Sequence, residues 1–303
     1  MTIQAESVSS PRERNLSDGR FGTYKSLIQL TKPGVSRLVM ISMLCGALIA
    51  PGAVDFVRLA IALFSTALVV AGANALNMYL ERDIDALMER TRSRPLPTGR
   101  IAPELALRFG VALALIGVFA LAVCVGPLPA SLAALALLSY VLAYTPLKRV
   151  TPLALHIGAL PGAIPPLIGW SSVTGSLDQR ALSVFLILFF WQLPHFIAIS
   201  VFRRDEYARA GLRVLSVARG VAGAKRAIVV YSALLVLVSF VPPLTGLGTT
   251  LYLSLAALSG AGFFAAALLG LRASAGSEWA RRLFFVSMPY LVVLLGGLVL
   301  SAV

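Results

Sequence analysis

The feature that most limits the fold of this chain is a succession of apolar runs too long for a soluble core. Nine can be counted, over 35–52, 57–79, 105–125, 128–145, 152–172, 181–202, 226–245, 248–271 and 283–302. A helix needs about 20 predominantly apolar residues to cross the hydrocarbon of a bilayer. In lipid, only helices and closed barrels satisfy their own backbone groups. The runs are continuous and do not alternate with period two, which excludes a barrel. The chain is 58% hydrophobic and only 13% charged, against about 25% charged in a soluble domain. The expectation is an all-α, polytopic membrane protein of about nine transmembrane helices. The fifth run, with Pro161, Pro165 and Pro166, is the least regular. Cys45 and Cys124 lie in apolar runs without metal-ligand spacing and read as packing residues.

The net charge of +13 would suit a nucleic-acid partner, but its distribution argues for membrane orientation instead. With the N-terminal tail and the loops after runs two, four, six and eight taken as one side, that side carries all 26 basic residues except Arg58 and Arg180. The positive-inside rule places this side in the cytoplasm, and the C-terminus then lies outside. Residues 1–27 lack an apolar core and read as a flexible polar cytoplasmic tail rather than a signal peptide. Residues 28–303 read as a single transmembrane domain.

Acidic residues concentrate at two places on the basic side. The first is Asn74–Pro97, NALNMYLERDIDALMERTRSRPLP. Asn74, Asn77, Glu81 and Asp85 recur every three or four residues. On a helix, at about 100° per residue, they share a wedge roughly 80° wide, with Asp83 on the opposite side. Arg90, Arg92 and Arg94 follow. The second is FFWQLPHFIAISVFRRDEYARAG, with His195 inside run six and then Arg203, Arg204, Asp205, Glu206, Tyr207 and Arg209. A shift of 121 residues superposes Asn74 on His195, Asp85 on Glu206, Arg82 on Arg203 and Arg92 on Arg213. That pattern fits a parallel internal repeat of four helices, and it also fits chance matches.

Bland explanations compete at each point. Carboxylates and arginines at helix ends often anchor the helix and pair with each other. Asn74 and Asn77, however, stand in apolar surroundings, where unpartnered amides are costly. Taken alone, His195 and His156 read as packed, hydrogen-bonded histidines. Gly158 and Gly162 read as close helix packing. Lys148 and Arg149, in YTPLKRVTP, serve either topology or an anionic substrate.

Chemistry follows from the first cluster. Mg²⁺ prefers oxygen ligands, keeps waters, and bridges substrate phosphates through one or two carboxylates. Glu81 and Asp85 suit that task, with Asn77 or Asn74 adding amide oxygen. Arg90 and Arg94 suit phosphate oxygens. A diphosphate held this way would be a stabilised leaving group. An allylic lipid diphosphate would then ionise at the membrane face, and water must be kept out until the acceptor attacks. That is a prenyl transfer. A transporter is the rival from another class, but it should hold its ionisable residues near the midplane rather than at helix ends.

These residues resemble a known family. Asn-x-x-x-(Asp/Glu)-x-x-x-Asp followed by a basic loop is similar to the first acidic motif of the UbiA superfamily of intramembrane prenyltransferases. The longer NMYLERDIDALMERTRSRPLP resembles the branch of protoheme IX farnesyltransferases, or haem O synthases. So do TKPGV (31–35), YTPLKRVTP (144–152), PPLIGW (165–170) and WQLPHF…FRRDEYARAG (191–211). The resemblance spans residues 28–303. It implies nine helices around a central cavity open to the cytoplasmic side of a bacterial inner membrane. It implies transfer of farnesyl from farnesyl diphosphate to the 2-vinyl group of haem B, with addition of water, giving haem O and diphosphate. Haem B is then a substrate and Mg²⁺ the cofactor, and no nucleic acid is involved. A haem A synthase or an oxidase-assembly protein is the candidate physical partner.

Carried onto this chain, Asn74, Asn77, Glu81 and Asp85 would hold Mg²⁺ and diphosphate, with Glu81, Asp85 and Asn77 as the metal ligands. Arg90, Arg94, Lys148, Arg203 and Arg204 would bind diphosphate or the haem propionates. Most of the superfamily has a second aspartate-rich motif on the sixth helix. Here that place holds His195 and the cluster Asp205, Glu206, Tyr207 and Arg209, which puts a second metal held by aspartates alone in doubt. His195 would ligate haem iron or handle a proton, and His156 is a second candidate ligand. A prenyltransferase with a different aromatic acceptor remains the alternative.

Overall fold

A computed structural model describes residues 20–302. Of the expected tail, residues 1–27, residues 1–19 lie outside the described residues, and 20–27 lie in a helix, α1 (Arg20–Leu30), which also holds residue 28, the expected start of the domain. Every regular element among the described residues is helical. After α1 come α2 (Pro33–Ile49), α3 (Phe56–Leu80), α4 (Arg82–Leu87), α5 (Pro103–Cys124), α6 (Pro127–Leu138), α7 (Thr145–Leu147), α8 (Ala154–Ala163) and α9 (Pro165–Thr174). The second half holds α10 (Gln179–Phe202), α11 (Arg204–Arg209), α12 (Leu215–Ala218), α13 (Gly220–Val238), α14 (Val241–Leu244), α15 (Thr250–Leu268) and α16 (Ser277–Ala302).

Seven stretches among the described residues are long and apolar enough to cross a membrane: α3, α5, α6–α7, α10, α13–α14, the run 250–271 that begins with α15, and α16. The pair α1–α2, bent by 44°, makes an eighth if it is one span. This is short of the nine expected, and proline explains the clearest difference. The fifth run is two ten-residue helices, α8 and α9, meeting at Ile164. Pro165 and Pro166 lack the N–H groups that would continue α8, so its hydrogen-bond ladder stops there although Ile164 itself keeps helical geometry (φ −68°, ψ −33°). Pro146 acts more gently. It follows one six-residue π-helical turn, Ser139–Tyr144, in which the Thr145 N–H reaches back to the Tyr140 carbonyl. Losing one donor widens the ladder there without stopping the helix.

Packing is layered around α10, the most buried of the spans, which lies against α8, α13 and α16. α3 packs along α5, and α2 along α9. Glycines permit the closest approaches. A Cβ on Gly169 would run into the backbone of Met43, and one on Gly46 into that of Pro166. Gly158 lies against the Tyr144 ring and Gly162 against the Gln192 amide, the close packing expected of that pair. Trp170, Tyr252 and Phe263 fill the interior. The outer surface carries Phe64, Leu115, Phe119, Leu237, Leu258 and Val292, all exposed. An apolar exterior of this kind suits lipid, where it costs nothing.

Candidate active site at the basic end of the bundle

The long helices α3 and α10 start alike. Asp55 caps α3, its carboxylate accepting from the Val57 and Arg58 N–H groups at 2.9 and 3.0 Å. Asp178 caps α10 in the same way through Arg180 and Ala181. Such caps satisfy donors that a helix start leaves open. Arg58 and Arg180 stay at this end, Arg58 on the Val125 carbonyl and Arg180 on Asp178.

At the other end α3 does not continue as the single helix expected. It breaks at Glu81 (φ −105°, ψ 9°), and α4 follows. The Asp85 N–H still bonds the Glu81 carbonyl at 2.8 Å, so the helical spacing survives the break. Asn74, Asn77, Glu81 and Asp85 are all buried. Asp83 projects the other way, largely exposed, where Arg149 donates two hydrogen bonds of 2.9 Å. Those bonds hold its carboxyl below the usual range.

Three cations converge on the buried acids and amides. Arg94 donates to Asp85 Oδ2 at 2.7 Å. The Lys148 ammonium touches Glu81 Oε1. Lys32 Nζ donates to Asn77 Oδ1 at 2.8 Å, while Asn77 Nδ2 donates to Thr145 Oγ1 at 3.2 Å. Asn74 Nδ2 donates to the Thr31 carbonyl at 3.1 Å, tying α3 to the α1–α2 break. A cleft of about 460 Å³ opens alongside, lined by Gln29, Lys32, Met78, Ser93, Arg94, Pro95 and Arg100.

Lys32 was not among the residues expected from the sequence. Among the described residues it is the one non-glycine with positive φ (φ 48°, ψ 65°). A side chain in that region costs roughly 1–2 kcal/mol. The Asn74 and Asn77 contacts on either side hold it there. TKPGV carried the signal, a lysine just before a helix-starting proline, but its partner lies 45 residues away.

Does this set suit a divalent metal? Asp85 Oδ1 is buried and accepts no hydrogen bond. Glu81 Oε1 touches Lys148 as an ion pair yet also accepts no directed hydrogen bond. One buried carboxylate oxygen without a donor, on Asp85, beside a second carboxylate held only by a lysine, on Glu81, suits an ion that takes few protein ligands and completes its shell with water and phosphate. Among the described residues no three His, Cys, Asp or Glu side chains cluster tightly enough to hold a metal unaided.

The second cluster is arranged differently. α10 breaks at Arg203 (φ −114°, ψ 20°), and α11 follows. Glu206 accepts from Arg203 at 2.9 Å and from the Arg90 N–H at 3.5 Å, with the Arg90 guanidinium 3.8 Å away and over the Tyr207 ring. Burial pushes the Tyr207 hydroxyl up in pKa. Arg204 donates to the Ser216 carbonyl and lies 3.7 Å from Asp205. Asp205 and Arg209 are exposed. Arg90, Arg203 and Arg204 are thus engaged locally, while Arg94 and Lys148 join the carboxylates. Three connections are stitched together here: Arg149 to Asp83, the Arg213 N–H to the Lys148 carbonyl at 3.2 Å, and Glu206 to Arg90.

Neither histidine bonds a carboxylate. His156 Nε2 sits 2.7 Å from the Tyr231 hydroxyl, on α13. His195 is buried against α16. Its Nδ1 is 2.6 Å from Ser287 Oγ, and its ring is stacked on Trp191, with centroids 4.7 Å apart, and against Phe284 at 4.4 Å. Ser287 was not expected to matter, and Trp191 entered the sequence reading only as part of WQLPHF, with no role given to it.

A polytopic helical bundle that buries a carboxylate pair among cations at one end is the architecture of a membrane-embedded prenyltransferase. The chain belongs to the UbiA prenyltransferase family, whose model matches residues 39–288. It is similar to the protoheme IX farnesyltransferase of Sorangium cellulosum (strain So ce56), with 55% identity over 88% of this chain and 95% of the relative. The fold is similar to a structure described as digeranylgeranylglyceryl phosphate synthase, with a TM-score of 0.79 at 20% identity, over 92% of this chain and 98% of the other. It is also similar to a UbiA homologue from Archaeoglobus fulgidus bound to GPP and Mg²⁺, with a TM-score of 0.66 at 15% identity, over 90% of this chain and 99% of the other.

Proposed function

We propose that this enzyme transfers a farnesyl group from farnesyl diphosphate to the 2-vinyl group of haem B, with addition of water, giving haem O and diphosphate. The observation that carries the leaving-group half is the buried Asp85 Oδ1, with no donor of its own, Arg94 on the other oxygen of its carboxylate, and Lys148 and Lys32 on Glu81 and Asn77. The acceptor half rests on the relative named protoheme IX farnesyltransferase.

In this reading Glu81 and Asp85 would hold Mg²⁺, joined by Asn77 once Lys32 leaves its Oδ1, and the ion would supply positive charge to the diphosphate oxygens. Arg94 and Lys148 turn from the carboxylates to those oxygens, and Lys32 joins them. As the farnesyl C1–O bond breaks, its electron pair leaves with diphosphate, and these fixed cations stabilise the charge that develops. The vinyl group attacks C1, water takes up the resulting cation, and a proton is lost. Arg90 and Glu206 hold the loop that carries Arg94. The distribution of basic residues supports a cytoplasmic site with the C-terminus outside.

Purified protein incubated with haem B, farnesyl diphosphate and Mg²⁺ should yield a haem heavier by one farnesyl group and one hydroxyl on mass analysis. Prenylation of another aromatic acceptor, with haem untouched, would overturn the choice of acceptor. No transfer to any acceptor from protein that binds both substrates would sink the proposal.

A further inference from the structure

We propose that Ser287 sets the tautomer of His195 and aims its Nε2 lone pair at the iron of bound haem, a role that rests on haem B being the acceptor. Ser287 Oγ lies 2.6 Å from the Phe284 carbonyl oxygen, which can only accept, and 2.6 Å from His195 Nδ1. A serine hydroxyl carries one hydrogen. Were that hydrogen given to Nδ1, two oxygens would face each other at 2.6 Å with nothing between them. The hydroxyl therefore donates to Phe284, and Nδ1–H donates to the hydroxyl oxygen. A neutral imidazole has a single N–H, so Nε2 is left with its lone pair.

The ring is also held in place. Trp191 stacks on it with an interplanar angle of 27°, Phe284 lies against it at 34°, and Phe196 meets it edge-on. The Trp191 Nε1–H donates to the Ser287 carbonyl at 2.6 Å. Ser287 thus receives one bond from each of two α10 residues, one on its hydroxyl and one on its backbone. The side chains against the ring carry no charge, so nothing there favours imidazolium. A neutral histidine whose far nitrogen donates to an oxygen is the arrangement that orients metal-binding imidazoles in general. Ser287 and Trp191 are positioning residues, and His195 is the residue that meets the substrate.

The test uses the purified full chain in detergent with haem B and no prenyl diphosphate, read by absorption and by the iron–histidine stretch in resonance Raman. The wild type should show an axial histidine, and His195→Ala should lose it. Ser287→Ala should lower haem affinity about tenfold and move the iron–histidine stretch to lower frequency. Ser287→Thr, which keeps the hydroxyl, should restore both. Mn²⁺ binding by the same variants checks that each is folded. An unchanged stretch in Ser287→Ala, or an axial histidine that survives His195→Ala, overturns this proposal and leaves the acceptor reading standing. A wild-type chain that binds no haem overturns the acceptor reading and this proposal with it.

Discussion

The breaks at Glu81 and Arg203 share a backbone and differ in chemistry. Each ends a long helix capped by aspartate at its start, of 25 residues for α3 and 24 for α10. Each passes through one residue of nearly the same conformation into a six-residue helix. At the first break the buried groups are Asn77, Glu81 and Asp85, and an oxygen is left without a donor. At the second, Glu206 is closed off by Arg203 and Arg90. One backbone device thus exposes lone pairs in one place and joins loops in the other. A carboxylate near a helix end is not informative by itself; whether its lone pairs are already satisfied is what distinguishes the two.

Substitutions can break or sharpen this contrast. The largest effect is expected of Asp85→Asn, which should lower turnover at least about a hundredfold and weaken Mn²⁺ binding measured by electron paramagnetic resonance. Haem binding should persist; losing it together with turnover would contradict the separation of the two functions. Glu206→Gln should cost about 1–2 kcal/mol in denaturant unfolding and leave Mn²⁺ binding intact. A loss of Mn²⁺ as severe as in Asp85→Asn would make the two breaks equivalent. Asn74→Ala removes one half-buried hydrogen bond to Thr31 and should cost about 1 kcal/mol, with a small fall in turnover. Asp83→Asn should change stability by less than about 0.5 kcal/mol and leave the rate unchanged. Because Arg149 holds the Asp83 carboxyl below its ordinary value, its small contribution is present at neutral pH. It fades as pH falls below about 4.

Much of this contrast could be read along the chain, because it depends on local periodicity. The spacing of Asn74, Asn77, Glu81 and Asp85 survives a break in the helix, and Asp83 faces away as its angle requires. The apolar runs were legible for the same reason, being set by length and composition. What local pattern could not reveal was partnership over long separations. Lys32 meets Asn77 across 45 residues, Thr145 meets it across 68, and Ser287 meets His195 across 92. Prolines at 165 and 166 were visible, but not that they would divide a span into two short helices. Arg203 and Arg204 looked available because sequence shows charge without showing what neutralises it.

The stitching among the three connections has a mechanical consequence. Asp83 ties to Arg149, the Lys148 carbonyl to Arg213, and Glu206 back to Arg90, in the segment that follows Asp83. The ties close into a loop of three members, each held by the other two. Such a frame is redundant: cutting one tie leaves all three segments connected, and cutting a second frees one of them. Single substitutions should therefore understate what the ties contribute, and pairs should exceed the sum of their parts. The rigidity of this end of the bundle belongs to the ring, not to any one ion pair within it.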